Sequence, residues 1–333
     1  MRTLVIGGTR NLGPGLVHAL LARGDDVTVL NRGVTPGDLP AEARRLTADR
    51  SDDTALGAAL AGHSYDLVVD TTLYTGHEAQ IVTGLLTGRA GRYVWWSTGQ
   101  VYLVRTGLDR PFRESDYDGP LLPEPAPPST LDHRNWTYGI GKRDAEDVLS
   151  TAFREREFPV VSLRMPMIAS ERDHYTRIAA YVRRLLDGGP IVIPEGPPLP
   201  VRHVYGRDVI QATLRAAATP GVCGHAFNVS QDETLDFFDL VARIGALLGR
   251  TPRYAKRPRT KLEELGLLPT CSPFSDPWMS SLANDLSQLA LGMRYTPVDE
   301  YLPRCVEAAV RLPIDRVIGY GDRALELELV QSG

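Results

Sequence analysis

Two kinds of apolar spacing alternate along the first half of the chain. Short runs such as Leu4-Val5-Ile6, Val27 to Leu30, Leu67-Val68-Val69 and Tyr93 to Trp96 are apolar without a polar face, and each ends at a polar or glycine residue. Between the first two, Leu12, Leu16 and Leu20, with Val17 and Leu21, recur at helical spacing and stop at Gly24. The runs predict strands buried on both sides, and the intervening spacing predicts helices laid across them. With their flanking residues the later runs give strands at Asp26-Val-Thr-Val-Leu-Asn31, Asp66-Leu-Val-Val-Asp70 and Arg92 to Ser97, and the same pattern gives one more at Phe158 to Pro166. The fold expected is α/β, a doubly wound parallel sheet with right-handed crossovers over residues 1–165. Beyond 166 the pattern becomes mixed. It shows a helix near Tyr175 to Leu186, strands at Ile191 to Ile193 and Ala226 to Ser230, a helical face of Leu235, Phe238, Val241, Ile244 and Leu248, and a last helix from Tyr301 to Leu312. Residues 166–333 are expected to form mainly a smaller substrate lobe, with some segments returning to the sheet.

The first strand runs directly into Gly7-Gly8-Thr9-Arg10-Asn11-Leu12-Gly13, and a helix follows. Gly7 and Gly13 accept backbone angles closed to other residues and let the main chain approach a pyrophosphate, whose charge the free N–H groups of a helix start stabilise. Strand, glycine turn and helix together predict a Rossmann-like site for a dinucleotide. The second strand ends at Asn31-Arg32-Gly33, where such a fold presents side chains to the adenosine ribose. An acidic residue there would bind the ribose hydroxyls and repel a 2′-phosphate. Asn31 is neutral, and Arg32 with Arg10 can pair with that phosphate, so NADP(H) is expected over NAD(H).

Tyr138-Gly-Ile-Gly-Lys142 reads as the opening of a helix running to Phe153, with tyrosine and lysine four apart on one face. A free phenol has a pKa of about 10, and nearby positive charge lowers it toward use as a base. The chain has three lysines and 13 tyrosines, so chance predicts about 0.1 such pairs (13 × 3/333). Between Thr98 and Tyr138 lies a proline-rich stretch, 105–136, that can be neither one continuous helix nor a central strand. It reads as an insertion, either a substrate lid or a surface loop.

These motifs resemble the extended short-chain dehydrogenase/reductases, the NAD(P)-dependent epimerases, dehydratases and reductases, over residues 2 to about 312. Arg10 replaces the usual middle glycine of the turn, as in the family's atypical Gly-Gly-Thr-Arg members. The resemblance implies that Gly7, Thr9, Arg10, Asn11, Leu12, Gly13, Asn31, Arg32, Asp49 and Thr72 bind cofactor, with Tyr138 and Lys142 at the nicotinamide ribose. Tyr138 would be the acid/base, Lys142 would lower its pKa, and Thr98, three residues before Val101, would orient the substrate oxygen. Gln100 and Arg202 would contact substrate, Arg202 through the diphosphate of an activated sugar. Sugar 4,6-dehydratases carry an Asp-Glu pair where this chain has Gly99-Gln100, so elimination lacks its acid and base. Hydride transfer at a secondary alcohol or ketone of a nucleotide-activated sugar, as in a 4-epimerase or a ketoreductase, is the expected activity. The alternative is a non-catalytic, NAD(P)-binding regulatory or RNA-associated protein of the same fold. Relatives dimerise through helices flanking the sheet, and the helix after Tyr138 would serve a homodimer.

Composition narrows the partners further. The chain has 333 residues, 43% hydrophobic and 23% charged, with a net charge of −4, and this balance argues against nucleic acid as a main partner. Lys256, Arg257 and Arg259 form a small basic cluster expected on a solvated loop. Cys223, Cys271 and Cys305 are odd in number and widely spaced, so neither a disulfide framework nor a metal site is expected. A first strand close to Met1 and the lack of a long apolar run predict no signal peptide and no membrane span, hence a cytoplasmic location. Asp208 is expected to cap a helix, and His203 to be a core or surface residue.

Overall fold

A computed structural model describes residues 1–331 apart from 36, 37 and 129. Strands β1 (Arg2–Ile6), β2 (Asp26–Asn31), β3 (Arg44–Thr47), β4 (Leu67–Asp70), β5 (Tyr93–Thr98) and β6 (Val160–Met165) form one parallel sheet. The strand Ala226–Asn228, from the second half of the chain, adds a seventh member beside β6. From that edge inward the order runs β6, β5, β4, β1, β2, β3, so the direction of winding reverses between β1 and β4. β4 and β6 are buried along their whole length, as the apolar runs require.

Alternate residues of β1 feed two cores. Val5 packs with Leu16, Val17 and Leu20 of α1 (Gly13–Ala22) and with Val209 and Ala212 of the helix Gly206–Ala218. Leu4 and Ile6 face the other side, with Leu56 of α2 (Asp53–Leu60), Val82 and Leu86 of α3 (Gly76–Leu86), and Leu149. A short helix, α4 (Gln100–Leu103), follows β5. A third core joins the helices Arg177–Asp187, Phe237–Leu248 and Val298–Arg311, with Tyr181, Val241, Ile244 and Tyr301 inside it.

Several local expectations are corrected. Tyr138 does not open a helix: α5 spans Leu131–Arg156, capped by Thr130, whose hydroxyl accepts from the His133 N–H at 3.1 Å. The proline-rich insertion therefore ends before 131, Trp136 and Tyr138 are well inside α5, and Ser129 lies outside the described residues. The insertion is docked rather than free. The Phe112 N–H donates to the Ser281 carbonyl and the Ala283 N–H to the Phe112 carbonyl, each at 2.8 Å, while Glu114 Oε1 accepts from the Asn228 N–H at 2.7 Å. Leu235 belongs to a two-residue strand, Leu235–Asp236, rather than to the helix after it. Asp208 is not a cap, because Tyr205 holds that position; its carboxylate accepts from the backbone and hydroxyl of Thr296, each at 2.8 Å. His203 is a buried core residue against Phe274, and burial pulls its pKa down to about 3.

The basic cluster is not a solvated loop either. Lys256 and Arg257 end the strand Tyr254–Arg257, Arg257 donates to the carbonyls of Leu329 and Val330, and Arg259 pairs with Asp132. Leu329 and Val330 belong to a helix, Arg323–Gln331, that follows Val298–Arg311 and extends the order past the expected last element. It is held by Arg184 and Glu326, fully buried and paired, with Arg323 bridging Glu326 and Asp187 at 2.8 Å to each. Removing one member leaves a buried charge unpaired. Glu326→Ala is therefore expected to cost about 3–5 kcal/mol in denaturant unfolding, and a loss below about 1 kcal/mol would show that the pair does not secure this helix.

Candidate active site

The carboxyl ends of the strands open into a cavity of about 850 Å³ at the point where strand order reverses. At its centre is the glycine turn. Gly7 and Gly8 have φ of +98° and +79°, and a Cβ on Gly7 would lie 2.3 Å from Thr71 Oγ1. One on Gly13 would lie 2.4 Å from the Gly8 carbonyl carbon, so strand and helix meet backbone to backbone. Leu12, at the helix start, offers no side-chain cap. The Gly13 N–H donates to the Arg10 carbonyl at 2.9 Å and Pro14 has no N–H, so it is the positive-φ backbone of Gly7 and Gly8, rather than a free helix turn, that faces the cavity. This cradle fits a pyrophosphate.

Gly7, Thr9, Arg10, Asn11, Asn31, Arg32, Asp49, Thr72, Thr98, Gln100, Tyr138 and Lys142 all line this one cavity. Three of the expected residues do not. Leu12 is buried, Gly13 abuts Gly8, and both support the turn from behind. Arg202 donates to Thr234 Oγ1 at 2.7 Å and to the Leu282 carbonyl at 3.2 Å, outside the lining.

At the β2 end of the cavity, Asn31 Oδ1 accepts from the Gly33 N–H at 2.8 Å and shapes the loop after β2. Arg10 donates to Thr35 Oγ1 at 3.1 Å, and exposed Arg32 lies 3.9 Å from Asp49. Hydrogen bonds from the Ser51 backbone and hydroxyl hold the Asp49 carboxyl below its usual range. Sequence reasoning missed the neighbouring pair. Arg50, in the cavity wall, grips fully buried Asp70 with two bonds of 2.8 and 2.9 Å and reaches Thr72 Oγ1 at 3.0 Å. Burial alone would raise the Asp70 pKa, but Arg50 and the Tyr93 hydroxyl, at 2.7 Å, hold it low. The available signal was an acid ending an otherwise apolar strand, which requires a cation.

At the opposite end, β5 presents Thr98 and α5 presents Tyr138, and both side chains line the cavity. Desolvation of the phenol oxygen pushes the Tyr138 pKa above its ordinary value and the neighbouring Thr98 hydroxyl pulls the other way, so the lowering expected from Lys142 is not found. Lys142 is 2% exposed and donates to the carbonyls of Leu73 and Trp96, each at 2.8 Å. Its ammonium lies 4.4 Å from the Trp95 ring centre and 5.4 Å from that of Tyr74. Burial pulls its pKa down to about 7, against the opposing pull of Asp70 and Glu146. Asn135, not anticipated, lies one turn before Tyr138 on α5 and binds Gln100 through its amide oxygen at 3.2 Å.

A Rossmann sheet with this cradle and a Thr–Tyr–Lys set defines a nicotinamide-dinucleotide enzyme of the extended short-chain dehydrogenase/reductase type. The chain belongs to the NAD dependent epimerase/dehydratase family, whose pattern matches residues 3–230. Among curated proteins it is 23% identical over 254 residues to a 2′-dehydrokanamycin reductase of Streptomyces kanamyceticus. It is 24% identical over 266 residues to the chloroplast stem-loop binding protein of 41 kDa b of Arabidopsis thaliana. These alignments cover 75% of this chain and 67% and 64% of the relatives, so the chain spans about two thirds of their length. Among solved structures, UDP-glucose 4-epimerase of Thermotoga maritima with UDP-glucose superposes with a TM-score of 0.71 at 19% identity, covering 92% of this chain and 98% of the other. A dTDP-glucose 4,6-dehydratase of Streptomyces venezuelae with NAD bound gives 0.71 at 21%, covering 92% and 96%. Among the described residues no helix is long and apolar enough to cross a membrane, and no group of His, Cys, Asp and Glu could hold a metal.

Lys142 gives a pH dependence of known sign. Between pH 7 and 10.5 the unfolded chain keeps the lysine proton that the folded chain has shed, so stability from this group rises with pH. The stability difference between wild type and Lys142→Met should therefore shift toward wild type from pH 7 to 9.5 in urea titrations; a constant difference would contradict the buried-ammonium geometry.

Proposed function

We propose that the protein is an NADP(H)-dependent oxidoreductase or epimerase acting at a secondary alcohol or ketone on a sugar-like ring. The observation that carries this is the Thr98–Tyr138 hydroxyl pair in the same cavity as the glycine cradle. When bound, the nicotinamide supplies or removes hydride at the reacting carbon. Tyr138 gives its phenolic proton to the carbonyl oxygen as that oxygen becomes an alcohol, and takes a proton back in the oxidative direction. Thr98 holds the same oxygen. Lys142, with two of its three donors spent on carbonyls, has one left toward the cofactor ribose. The name of the Streptomyces kanamyceticus relative, a reductase, supports ketone reduction as one direction of this chemistry.

NADP(H) is favoured because Arg10 and Arg32 line the adenosine end while neutral Asn31 ends β2. Asp49, which shares that end, is spent partly on Ser51. An activated sugar would need a cation at its diphosphate, and Arg202, proposed for that role, is committed to Thr234 and Leu282. The name of the stem-loop binding relative supports a second reading, an RNA-associated protein. The Tyr138 site and the net charge of −4 favour the enzyme. We also propose a homodimer through α5, the helix that runs on after Tyr138.

Tyr138→Phe should lower turnover by about 10²–10⁴ while leaving the NADPH dissociation constant nearly unchanged; unchanged turnover would refute the assignment. Arg32→Glu should weaken NADPH binding at least about tenfold, or 1.4 kcal/mol, with little effect on NADH in fluorescence titration. Equal losses for both cofactors would remove the 2′-phosphate role.

A further inference from the structure

The two walls of the cavity differ in composition, charged groups of both signs, among them Asp49 and Glu78, lining the cofactor side. Arg10, Arg32, Arg50 and Lys142 line the cofactor side. On the side built from residues after 164, Met167, Ile168, Tyr175, Trp278 and Met279 line the wall, and Arg177 is the only arginine or lysine among the described lining residues. Arg177 is already committed. Its Nη1 donates to Asp173 Oδ1 at 3.2 Å and to the Ile168 carbonyl at 3.4 Å, and its guanidinium lies 4.4 Å from the Tyr175 ring centre. Trp278 is fixed in place by an indole bond of 2.7 Å to Asp132. A diphosphate brought against this wall would lose water and meet no free arginine or lysine among the described lining residues, with the His174 imidazole beside Tyr175 as the one remaining basic group.

The polar groups beside Tyr138 are amides, and their orientation is determined. Asn135 Nδ2 donates to the Leu131 carbonyl at 3.0 Å, so Asn135 Oδ1 is the atom that accepts from Gln100 Nε2. Gln100 Oε1 is then a buried acceptor with no donor in the protein. A ligand hydroxyl or amine at this position supplies the missing donor. Apolar and aromatic lining with a few fixed polar atoms is the composition of a small-molecule subsite.

We infer that the substrate is a phosphate-free ring alcohol or ketone, of the glycoside or cyclitol class and bearing hydroxyl or amine donors, rather than a nucleotide-diphosphate sugar. Its ring face lies on the aromatic wall, and a donor reaches Gln100. This rests on the Tyr138 chemistry proposed above. It is tested on the full chain with NADPH or NADP⁺ present, using methyl glucosides, myo-inositol, glucosamine and their keto forms against UDP, UDP-glucose and UDP-galactose. Calorimetry and cofactor absorbance give binding and turnover.

The phosphate-free set should show saturable binding in at least one member, and UDP should bind more weakly than about 1 mM. Gln100→Leu should lower kcat/KM for the phosphate-free substrate about tenfold or more. Micromolar UDP binding, turnover of a UDP-sugar, or no saturable binding across the phosphate-free set would overturn the inference. Tyr138→Phe keeps the two claims apart. UDP-sugar turnover that this variant abolishes leaves the Tyr138 chemistry standing and removes the substrate class; phosphate-free turnover that it leaves intact does the reverse.

Discussion

The close approach of Gly13 to Gly8 is the constraint on which the rest of the site depends. With 2.4 Å between a would-be Cβ and the Gly8 carbonyl carbon, α1 can start directly over the end of β1 only if residue 13 has no side chain. That contact seats α1 over the end of β1, where it shares one core with the helix Gly206–Ala218, and leaves residues 7–11 of the turn to line the cavity. The parallel register of β1 with β2 and β4 then carries Asn31 and Asp70 to the same rim. Through β5 it also brings Thr98 there, so residues far apart in the chain meet around one volume.

What was legible in the sequence follows from the same physics. Strands buried on both faces carry unbroken apolar runs, so β1, β2, β4, β5 and β6 could be read one by one. β3, with its exposed Arg44 and Arg45 at the sheet edge, carries no such run. The glycine turn and the Tyr138–Lys142 spacing were legible because each is a local pattern with a local cause. The start of α5 was not: its first turns, Leu131 to Thr137, follow a proline-rich segment and are anchored by contacts far along the chain, such as Glu263 accepting from the Leu131 N–H at 2.6 Å.

Polar interiors were the least legible feature. Arg50 with Asp70, Arg184 with Glu326, and Arg164 with Glu146 are buried ion pairs whose partners lie 20, 142 and 18 residues apart. Arg202 illustrates the opposite case: an arginine in a recognisable segment is expected at a ligand, and in the fold two of its five donors go to Thr234 and Leu282, outside the cavity lining. Lys142 lies between these cases. Its spacing from Tyr138 was visible, but its burial against two carbonyls, and the lowered pKa that results, needed the folded chain.

The central claim is that one cavity, from the glycine turn to Tyr138, holds the dinucleotide. Amide hydrogen exchange of the full chain with and without NADPH tests it most directly. Protection confined to the turn at 7–16, the loop after β2 at 31–35, the segment 71–75 and the α5 stretch 135–142 is the predicted result. Saturating NADPH that leaves these segments unprotected, or that protects a different face of the molecule, would contradict it.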